Sequence, residues 1–487
     1  MTKFTRFVLS FFALTITTVQ TLYISTAHAN EEIISQNIEP WFGDFEEMLE
    51  RRQIRALVVY NKLMYFLDGA QQHGGSYDSL QELGKFIDKK YDLGARKMNI
   101  IYIPVTRDKI IQYLNDGIGD IAAANLTITP ERQEHVDFSD PLISGISEVL
   151  VTGPNAPEIS ELADLSGKTI HVRESSSYYS HLTKINAQLQ SNEMDIINLE
   201  LVDEHLEDSD LLEMVNAGLL PMAFVDSHKA DFWASIFTDL TVHKDVHLTV
   251  GGSIGWAYRK NSPTFGKILS QYVAANKKGT LIGNMIYKRY LNNNKWVKNA
   301  YSANDMERMI ALRDLFQQYS EQFEFDWLML ISLAYQESGL DQSVKSSSGA
   351  VGVMQMLPTT AKDPNVDIDD IHEIENNVHA GAKYLRFIRD RYFNDPDINE
   401  LNQTLLAFAS YNAGPNRIAS IRKETAERGL DPNVWFGNVE HIVAKKIGRE
   451  TIQYVGNIYK YYIAYKLLDS QKGDYDNAKK NLTNELN

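Results

Sequence analysis

The stretch FDWLMLISLAYQESGLDQSVKSSSGAVGVMQM, residues 325–356, decides the fold of the C-terminal half of the chain. It begins with a nearly unbroken apolar run behind Asp326, a residue type that caps helix N-termini, and this predicts a buried helix. The helix is expected to end at Gly339, because glycine is favoured just past a helix C-terminus. Glu337 then lies in the last turn of a core helix. Partial burial and the negative end of the helix dipole both disfavour its anion, which predicts a raised pKa.

A glutamic acid that keeps its proton near neutral pH is suited to act as a general acid in glycoside cleavage. Three motifs follow Glu337 in order: GAVGVMQ at 349–355, SYNAG at 410–414 and ETIQYV at 450–455. Together with Glu337 and the serine after it, they resemble the soluble lytic transglycosylase domain, which has a mainly α, goose-lysozyme-like fold. The resemblance covers roughly residues 304–470.

The resemblance implies that Glu337 protonates the bond between N-acetylmuramic acid and N-acetylglucosamine in peptidoglycan. The deprotonated carboxylate then activates the muramyl 6-hydroxyl, which gives a 1,6-anhydro product. The motifs at 349–355 and 410–414 carry no second acid, in agreement with a nucleophile supplied by the substrate. The family pattern has Leu and Ala where this chain has Val353 and Ser410. The residues expected to orient the sugar are Ser346, Gln355, Tyr411, Asn412 and Tyr454. The loop from Gly349 to Met354 is expected to let its backbone approach the glycan.

Two other functions remain open at this point. On the same fold, a water nucleophile gives a lysozyme-type hydrolase, and its products carry reducing ends rather than anhydro ends. From another class, the chain is a non-catalytic solute receptor whose C-terminal domain docks on peptidoglycan. No cleavage of the glycan is expected in that case.

Residues 1–29 predict export from the cytoplasm. They combine Lys3 and Arg6 with an apolar stretch and the sequence AHA at 27–29, as in a secretory signal peptide with the mature chain starting at Asn30. The alternative is a retained membrane anchor. The chain has no cysteine, which rules out disulfides and a lipoprotein anchor. We expect a periplasmic protein, peripheral to the outer membrane.

The charge distribution argues against nucleic acid as a partner. The net charge is −16, and neither half of the chain has a basic excess. Residues 251–300 nevertheless contain nine Lys or Arg and no acid, whereas residues 201–250 contain ten acids. Either these are solvated faces, or the basic segment docks on anionic envelope polymer or phospholipid head groups. No metal-ligand spacing is present, so we expect no metal and no cofactor.

Residues 53–292 alternate short strands and helices, which predicts an α/β layered sheet. The sequences GDIAAANLTITPER at 119–132 and VDFSDP at 136–141 resemble the type II periplasmic amino-acid-binding proteins. Those proteins are two-lobed α/β clamshells. The resemblance extends from about residue 54 to residue 290.

The two resemblances divide the chain into a signal peptide and two domains, an order similar to that of the membrane-associated lytic murein transglycosylases of type F. A solute-binding domain over 30–292 is followed by a linker over 293–303 and a catalytic domain over 304–487. The first lobe is expected at about 50–145 and 245–292. The second lobe is expected at about 146–244.

The clamshell resemblance also implies a ligand. Thr127 and Arg132 would hold its carboxylate, since arginine offers a planar fork for bidentate binding. Ser175, at a helix N-terminus, would donate to the same group. Asp226 would receive the ammonium group, and Tyr65 would form a wall. An amino acid or a short stem peptide is expected, and ligand-driven closure would regulate cleavage through the linker.

One residue of the clamshell departs from the family pattern, and a second interpretation of this domain is open. Asn125 stands where the family usually has glycine, so close approach of the backbone to the ligand is in doubt there. The alternative is a clamshell that serves only as a scaffold.

Overall fold

The structure is a computed structural model that describes residues 40–68, 71–291, 303–448 and 450–466. The predicted signal peptide over 1–29 lies outside the described residues. So does the predicted linker, except for its last residue, with which the first helix of the C-terminal domain begins.

Eleven strands are described, all in the N-terminal domain. They are β1 (Gln53–Val58), β2 (Phe66–Asp68), β3 (Gln71–His73), β4 (Asn99–Pro104), β5 (Ile121–Thr127), β6 (Val136–Phe138), β7 (Ile143–Thr152), β8 (Thr169–Val172), β9 (Asn198–Leu201), β10 (Met222–Asp226) and β11 (Thr241–Arg259). The main sheet has the order β10-β7-β11-β5-β1-β4, with β6 also paired to β11. Strand β1 runs parallel to β4 and β5, whereas β11 is antiparallel to β5, β6 and β7.

The long strands β7 and β11 carry the chain between the two lobes. The C-terminal half of β11 pairs with β5 and β6 in the first lobe, and its N-terminal half pairs with β7 in the second. Strand β10 joins the far side of β7, and β8 and β9 form a separate parallel pair. The β7–β11 register shifts several times between residues 243 and 253. This irregular ladder marks the passage from one lobe to the other.

Nine α-helices are described in this domain. They are α1 (Phe45–Arg51), α2 (Gly75–Lys90), α3 (Ile110–Asn115), α4 (Pro130–His135), α5 (Ser177–Ser191), α6 (Asp208–Asn216), α7 (Ser227–Ala234), α8 (Pro263–Asn276) and α9 (Leu281–Leu291). Helix α2 shows how they pack, because Leu80, Leu83 and Ile87 recur at helical spacing and are fully buried.

The C-terminal domain is helical over its described residues. Its helices are α10 (Ala303–Phe323), α11 (Trp327–Ser338), α12 (Pro358–Ala361), α13 (Ile374–Tyr392), α14 (Glu400–Ala413), α15 (Pro415–Glu427), α16 (Glu440–Lys446) and α17 (450–466). A clamshell-like α/β domain followed by a mainly α domain is the fold class that the sequence predicts.

Helix α11 has the ends expected from the sequence. The Asp326 carboxylate accepts a hydrogen bond from the Leu328 amide at 2.9 Å, which satisfies one of the free amides of the first turn. Gly339 ends the helix with φ of 65°, a conformation that glycine adopts at little cost. Ile331 and Leu333 are fully buried. The helix is therefore a rigid core element with Glu337 at its rim.

The two domains pack on each other through helix α17 and the second lobe. The Tyr459 hydroxyl donates to Asp203 at 3.1 Å, and the Lys460 ammonium lies 3.2 Å from the Asp210 carboxylate. Apolar residues of the second lobe, among them Leu211, belong to the same buried cluster as the core of the C-terminal domain. The interface is thus both apolar and charged.

The acidic segment over 201–250 is not a solvated face throughout. Glu207, Asp208, Asp210 and Glu213 are at most 5% exposed. They pair with basic side chains of both lobes and of α17. The prediction of a solvated acidic face is therefore wrong for these four residues. It fails because the sequence alone does not show which cations the fold brings to them.

Candidate active site

Glu337 is half-buried in the last turn of α11, and one side chain contacts its carboxyl group directly. The Tyr454 hydroxyl, from α17, donates a hydrogen bond to Glu337 Oε1. Burial raises the pKa of Glu337 to about 7, and the hydrogen bond from Tyr454 offsets part of that rise. The raised pKa that the sequence predicts is therefore present, and desolvation is its main cause. Near neutral pH a large fraction of the carboxyl group is protonated.

The glycine-rich loop over 349–355 faces the end of α11 and is held by hydrogen bonds to Asn377. This fully buried side chain accepts from the Met354 amide at 2.8 Å and donates to the Val351 carbonyl at 2.9 Å. Gly352 has φ of 80°, and a Cβ there would lie 2.4 Å from Asn377 Nδ2. Glycine is therefore required for the loop to reach its anchor.

Two further polar residues join the loop to the end of α11. Ser338 Oγ donates to the Val353 carbonyl at 3.0 Å, and Gln342 Oε1 accepts from the Val353 amide at 3.0 Å. Sequence reasoning missed these anchors and Asn377. The sequence holds one signal for Asn377. It is a polar residue on the buried face of α13, where the helical spacing predicts an apolar side chain.

Tyr411 and Asn412 connect the end of α14 to the other two parts of the site. The Tyr411 hydroxyl donates to the Met354 carbonyl at 2.7 Å, and the Asn412 amide oxygen accepts from Thr451 Oγ1 of α17 at 2.7 Å. Asn412 remains exposed. The structure thus brings together Glu337, the loop, Tyr411, Asn412 and Tyr454, as the order of motifs predicts.

The Met354 side chain is part of the core. It is fully buried and packs so closely on α13 that a Cβ at Gly381 would lie 2.6 Å from Met354 Cε. The side chain therefore supports the site from the core, and the predicted approach to the glycan concerns the backbone. Only its backbone belongs to the loop.

Gln355 and Ser346 shape the loop from within. Gln355 adopts φ of 46°. Its side-chain nitrogen Nε2 donates to the backbone carbonyls of Val344 at 3.1 Å and Gly352 at 2.9 Å. Ser346 Oγ accepts from the Ala350 amide at 3.0 Å. Both side chains hold the loop conformation on which any glycan contact depends.

The predicted ligand cleft lies between the lobes of the N-terminal domain. Arg132, on α4, donates to the Thr127 carbonyl at 2.8 Å and to the Ser175 carbonyl of the opposite lobe at 3.0 Å. Among the described residues no carboxylate pairs with its guanidinium at salt-bridge distance. Burial and the nearby Arg107 lower the pKa of Arg132 to about 10, so it is still cationic at neutral pH. The cleft therefore holds a cation that lacks an anionic partner.

Asp226 ends β10 and is 1% exposed. The Lys229 ammonium, from the next helical turn, lies 2.7 Å from its Oδ2. The acid that the resemblance assigns to a ligand ammonium thus already faces a lysine of its own helix. A lone buried carboxylate would be unfavourable, and Lys229 supplies the opposite charge.

Ser175 and Tyr65 differ from expectation. The Ser175 backbone amide donates to the Glu204 carboxylate at 3.0 Å. The group expected to bind a ligand carboxylate therefore already binds a carboxylate of the protein. Tyr65 is fully buried, its hydroxyl donates to Gln72 at 2.8 Å, and its ring stacks on Tyr102. A ligand wall made by the Tyr65 side chain is wrong, because the residue belongs to the core of the first lobe.

Asn125 adopts φ of 54°, a left-handed conformation that asparagine tolerates better than most residues. This explains how it stands where the family usually has glycine. Its side-chain amide nitrogen is buried and has no hydrogen-bond partner among the described residues. The cleft therefore offers an unused donor near Arg132.

No cluster of histidine and acidic side chains among the described residues is arranged to hold a metal ion.

The two domains match two protein families. Residues 314–433 match the family "Transglycosylase SLT domain", and residues 61–293 match "Bacterial extracellular solute-binding proteins, family 3". The chain is a lytic transglycosylase that carries a family 3 solute-binding domain. Glu337 and the glycine-rich loop lie within the first match, and Arg132 and Asp226 lie within the second.

Curated relatives have the same two-domain length. A "Membrane-bound lytic murein transglycosylase F" of Desulfosudis oleivorans is 27% identical over 452 residues, covering 87% of this chain and 93% of the relative. A protein of the same name from Alcanivorax borkumensis is 28% identical over 445 residues, covering 86% of this chain and 88% of the relative.

Solved structures of binding proteins resemble about half of this chain. "An ancestral arginine-binding protein bound to arginine" is 20% identical, with a TM-score of 0.41, and covers 49% of this chain and 98% of that protein. The same ancestral protein bound to glutamine is 21% identical, with a TM-score of 0.40, and covers 50% of this chain and 99% of that protein.

Replacing Tyr454 by phenylalanine is expected to move the pH dependence of this lytic transglycosylase. The hydroxyl lowers the pKa of Glu337, so its loss raises that pKa further. The alkaline limb of the pH–rate profile of sacculus digestion should then move to higher pH. The maximal rate should fall by about tenfold or less, as for loss of one hydrogen bond.

The matched control is Tyr392→Phe, which removes a hydroxyl from α13. Its profile should superimpose on that of the parent. An alkaline limb that stays in place or moves to lower pH in Tyr454→Phe would contradict the assignment.

Proposed function

We propose that Glu337 is the general acid and then the general base of peptidoglycan cleavage. The observation that carries this proposal is the half-buried carboxyl group with a pKa of about 7, which accepts a hydrogen bond from Tyr454 at the rim of the glycine-rich loop. A protonated Glu337 can donate its proton to the glycosidic oxygen between N-acetylmuramic acid and N-acetylglucosamine. The C1–O bond then breaks, and N-acetylglucosamine leaves with that proton.

The second step needs a nucleophile, and the substrate is the source we favour. Two-carboxylate glycosidases hold their second acid about 5–9.5 Å from the first. The glycine-rich loop over 349–355 and the motif at 410–414, which both contribute to the site, contain no acidic residue. The ionised Glu337 would therefore take the proton of the muramyl 6-hydroxyl, whose oxygen bonds to C1. The product is a 1,6-anhydro-N-acetylmuramic acid end, and Glu337 regains its proton.

The Glu337→Gln variant is expected to fold and to bind glycan but to lose turnover. Glutamine keeps the size of the side chain and cannot transfer the proton. The rate should fall by at least about 10²–10⁴, the contribution of general acid–base catalysis. Digestion of purified sacculi, with the released ends identified by mass, measures both rate and product.

The control is Glu321→Gln, an exposed glutamate of α10, which should digest sacculi like the parent. Release of anhydro ends by Glu337→Gln at a rate comparable to that of the parent would contradict the assignment of Glu337 as the general acid. Reducing N-acetylmuramic acid from the parent would instead identify a lysozyme-type hydrolase.

For the N-terminal domain, we infer that the cleft binds a ligand carboxylate through Arg132. The unpaired guanidinium and the unused amide of Asn125 both face this cleft, and the position of Thr127 at the end of β5 supports the same reading. A short stem peptide from the wall is the ligand class we favour. Such peptides are part of the polymer that the partner domain cleaves.

Arg132→Ala is therefore expected to weaken ligand binding by about 2–5 kcal/mol, since it removes one side of a desolvated charge pair. The measurement is titration calorimetry with stem peptides prepared by amidase treatment of sacculi. Lys267→Ala, an exposed lysine of the first lobe, is the control. Equal binding by Arg132→Ala and the parent would show that the arginine does not hold the ligand.

We also propose that the clamshell regulates cleavage, and that helix α17 provides the connection. Its Tyr454 contacts Glu337, while its Tyr459 and Lys460 contact Asp203 and Asp210 of the second lobe. A movement of that lobe would therefore act on the helix that directs the catalytic carboxyl group. The sequence predicts that this effect passes through the linker, whereas the contacts of α17 offer a direct route.

Saturating stem peptide is expected to change the initial rate of sacculus digestion. Typical coupling free energies of about 1–3 kcal/mol correspond to about 5–150-fold. Lys460→Met, which removes the ion pair with Asp210, should reduce the response, whereas the exposed-lysine variant Lys423→Met should retain it. A parent rate that does not respond to bound peptide would leave the domains uncoupled.

The location we propose is the periplasm, with peripheral contact to a membrane. No described helix has the length and apolar character needed to cross a bilayer. Helix α9 presents Leu281 and Met285, 77% and 54% exposed, one turn apart. Exposed Lys277, Lys278 and Lys288 surround them. This basic apolar patch is complementary to anionic phospholipid, since each lysine near such a surface contributes about 1 kcal/mol.

The double substitution Leu281→Ser and Met285→Ser is expected to release the protein from vesicles. The parent should sediment with vesicles of phosphatidylglycerol and phosphatidylcholine, and less so as salt screens the lysines. Leu201→Ser, which removes a 55% exposed leucine of the second lobe, is the control. Equal sedimentation of the parent and the double variant would rule out this patch.

A further inference from the structure

The charges that line the ligand cleft are unequal. The ionised side chains there are Arg107, Arg132, Arg173, Lys229, Asp208 and Asp226. Four cations and two anions line a space of about 20 Å³, and the buried Glu207 carboxylate behind Arg107 leaves an excess of one positive charge. All of them except Arg132 are buried or nearly so. A ligand that enters has to suit this excess of positive charge.

Three of the four cations already have carboxylate partners. Arg107 binds both oxygens of Glu207 at 2.7 Å, and Arg173 donates to Asp208 at 2.6 Å. Lys229 lies 2.6 Å from Asp208 Oδ2 and 2.7 Å from Asp226 Oδ2. Arg132, which donates to backbone carbonyls, is the exception among the described residues.

The position of Lys229 bears on what Asp226 can bind. Its ammonium sits between two buried carboxylates on the side of the cleft where the resemblance places the ammonium of a free amino acid. Burial lowers the pKa of Lys229, but Asp208 and Asp226 outweigh that effect, so its pKa is raised and it stays charged. A ligand ammonium on Asp226 would add a second positive charge beside the first in a desolvated site.

Asp226 retains an acceptor for a neutral donor. Its Oδ1 accepts no hydrogen bond from the residues that the structure describes. A hydroxyl or an amide N–H can satisfy this oxygen without adding charge. On the other side, a ligand carboxylate supplies the anion that Arg132 lacks, and the buried amide of Asn125 can donate to it.

There is room for the rest of such a ligand. Asn125 also lines a second cavity of about 100 Å³ within the first lobe. Its walls are mainly apolar and include Leu142, Trp256 and Ile286. A substituent on the carboxylate can extend from the cleft towards this space.

We propose that Lys229 takes the place of the ligand ammonium, so that the clamshell selects carboxylates whose α-carbon carries a hydroxyl or an acylated nitrogen and rejects free α-amino acids. The inference rests on the proposed ligand binding by the N-terminal domain. It makes Lys229 the residue that determines specificity, with Arg132 holding the carboxylate and Asp226 accepting the α-substituent.

The test uses the full mature chain and a matched panel of L- and D-amino acids. Each is offered free and N-acetylated, together with L- and D-lactate, first by thermal shift and then by calorimetry. Acylated or hydroxy acids should bind at least about tenfold more tightly than their free amino counterparts. Free amino acids that bind as tightly as their acetylated forms would overturn the selectivity while leaving ligand binding intact. If no compound of either series binds, the clamshell is not a carboxylate receptor and both proposals fall.

Variants at position 229 give a second measurement. Lys229→Arg keeps the charge and should keep the preference for acylated ligands. Lys229→Met, if circular dichroism shows native folding, should shift the preference towards free amino acids by about tenfold or more. Lys168→Met, an exposed lysine of the same lobe, is the control and should bind like the parent. An unchanged preference in a folded Lys229→Met protein would overturn the role of this lysine, and the unsubstituted panel decides the selectivity if that variant does not fold.

Discussion

The hydrogen bond between Tyr454 and Glu337 is the interaction on which the account of catalysis depends. Desolvation alone would raise the pKa of the carboxyl group and leave its orientation free. The tyrosine hydroxyl limits the rise and directs one oxygen, so that a proton is available near neutral pH in a defined position. Both partners are held by core helices. The glycine-rich loop is fixed to the same frame by Asn377 and Tyr411, which makes the site one rigid unit.

Helix α17 extends this frame to the other domain. Within about two turns it contacts the catalytic glutamate and then the acidic segment of the second lobe. The same segment supplies Glu207 and Asp208 to the cations of the ligand cleft. Buried ion pairs contribute little net stability but strongly favour one arrangement of charges over others. The cleft, the domain interface and the active site are therefore linked through helix α17 and the acidic segment of the second lobe.

Much of the fold and part of the site are predictable from the sequence. Asp326 and Gly339 are local signals that set the ends of α11, and Glu337 follows from them. The motifs place Tyr411 and Tyr454 near Glu337 only through resemblance. The contact of Lys229 with Asp208 and the packing of Met354 on Gly381 were not predictable, because each depends on which distant elements meet. The sequence favours a solvated acidic segment around Glu207 for the same reason. The cations that pair with this segment, Arg107 and Arg173, lie far from it in sequence.

The most direct test of the account is the pKa of the Glu337 carboxyl group in the intact protein. It can be measured by carbon-13 NMR of selectively labelled glutamate, with the Glu337→Gln variant identifying the resonance. The account predicts a pKa of about 7, and loss of sacculus digestion as the pH rises through that value, because the first step needs the protonated acid. A pKa near 4.5, the ordinary value for this side chain, would contradict it.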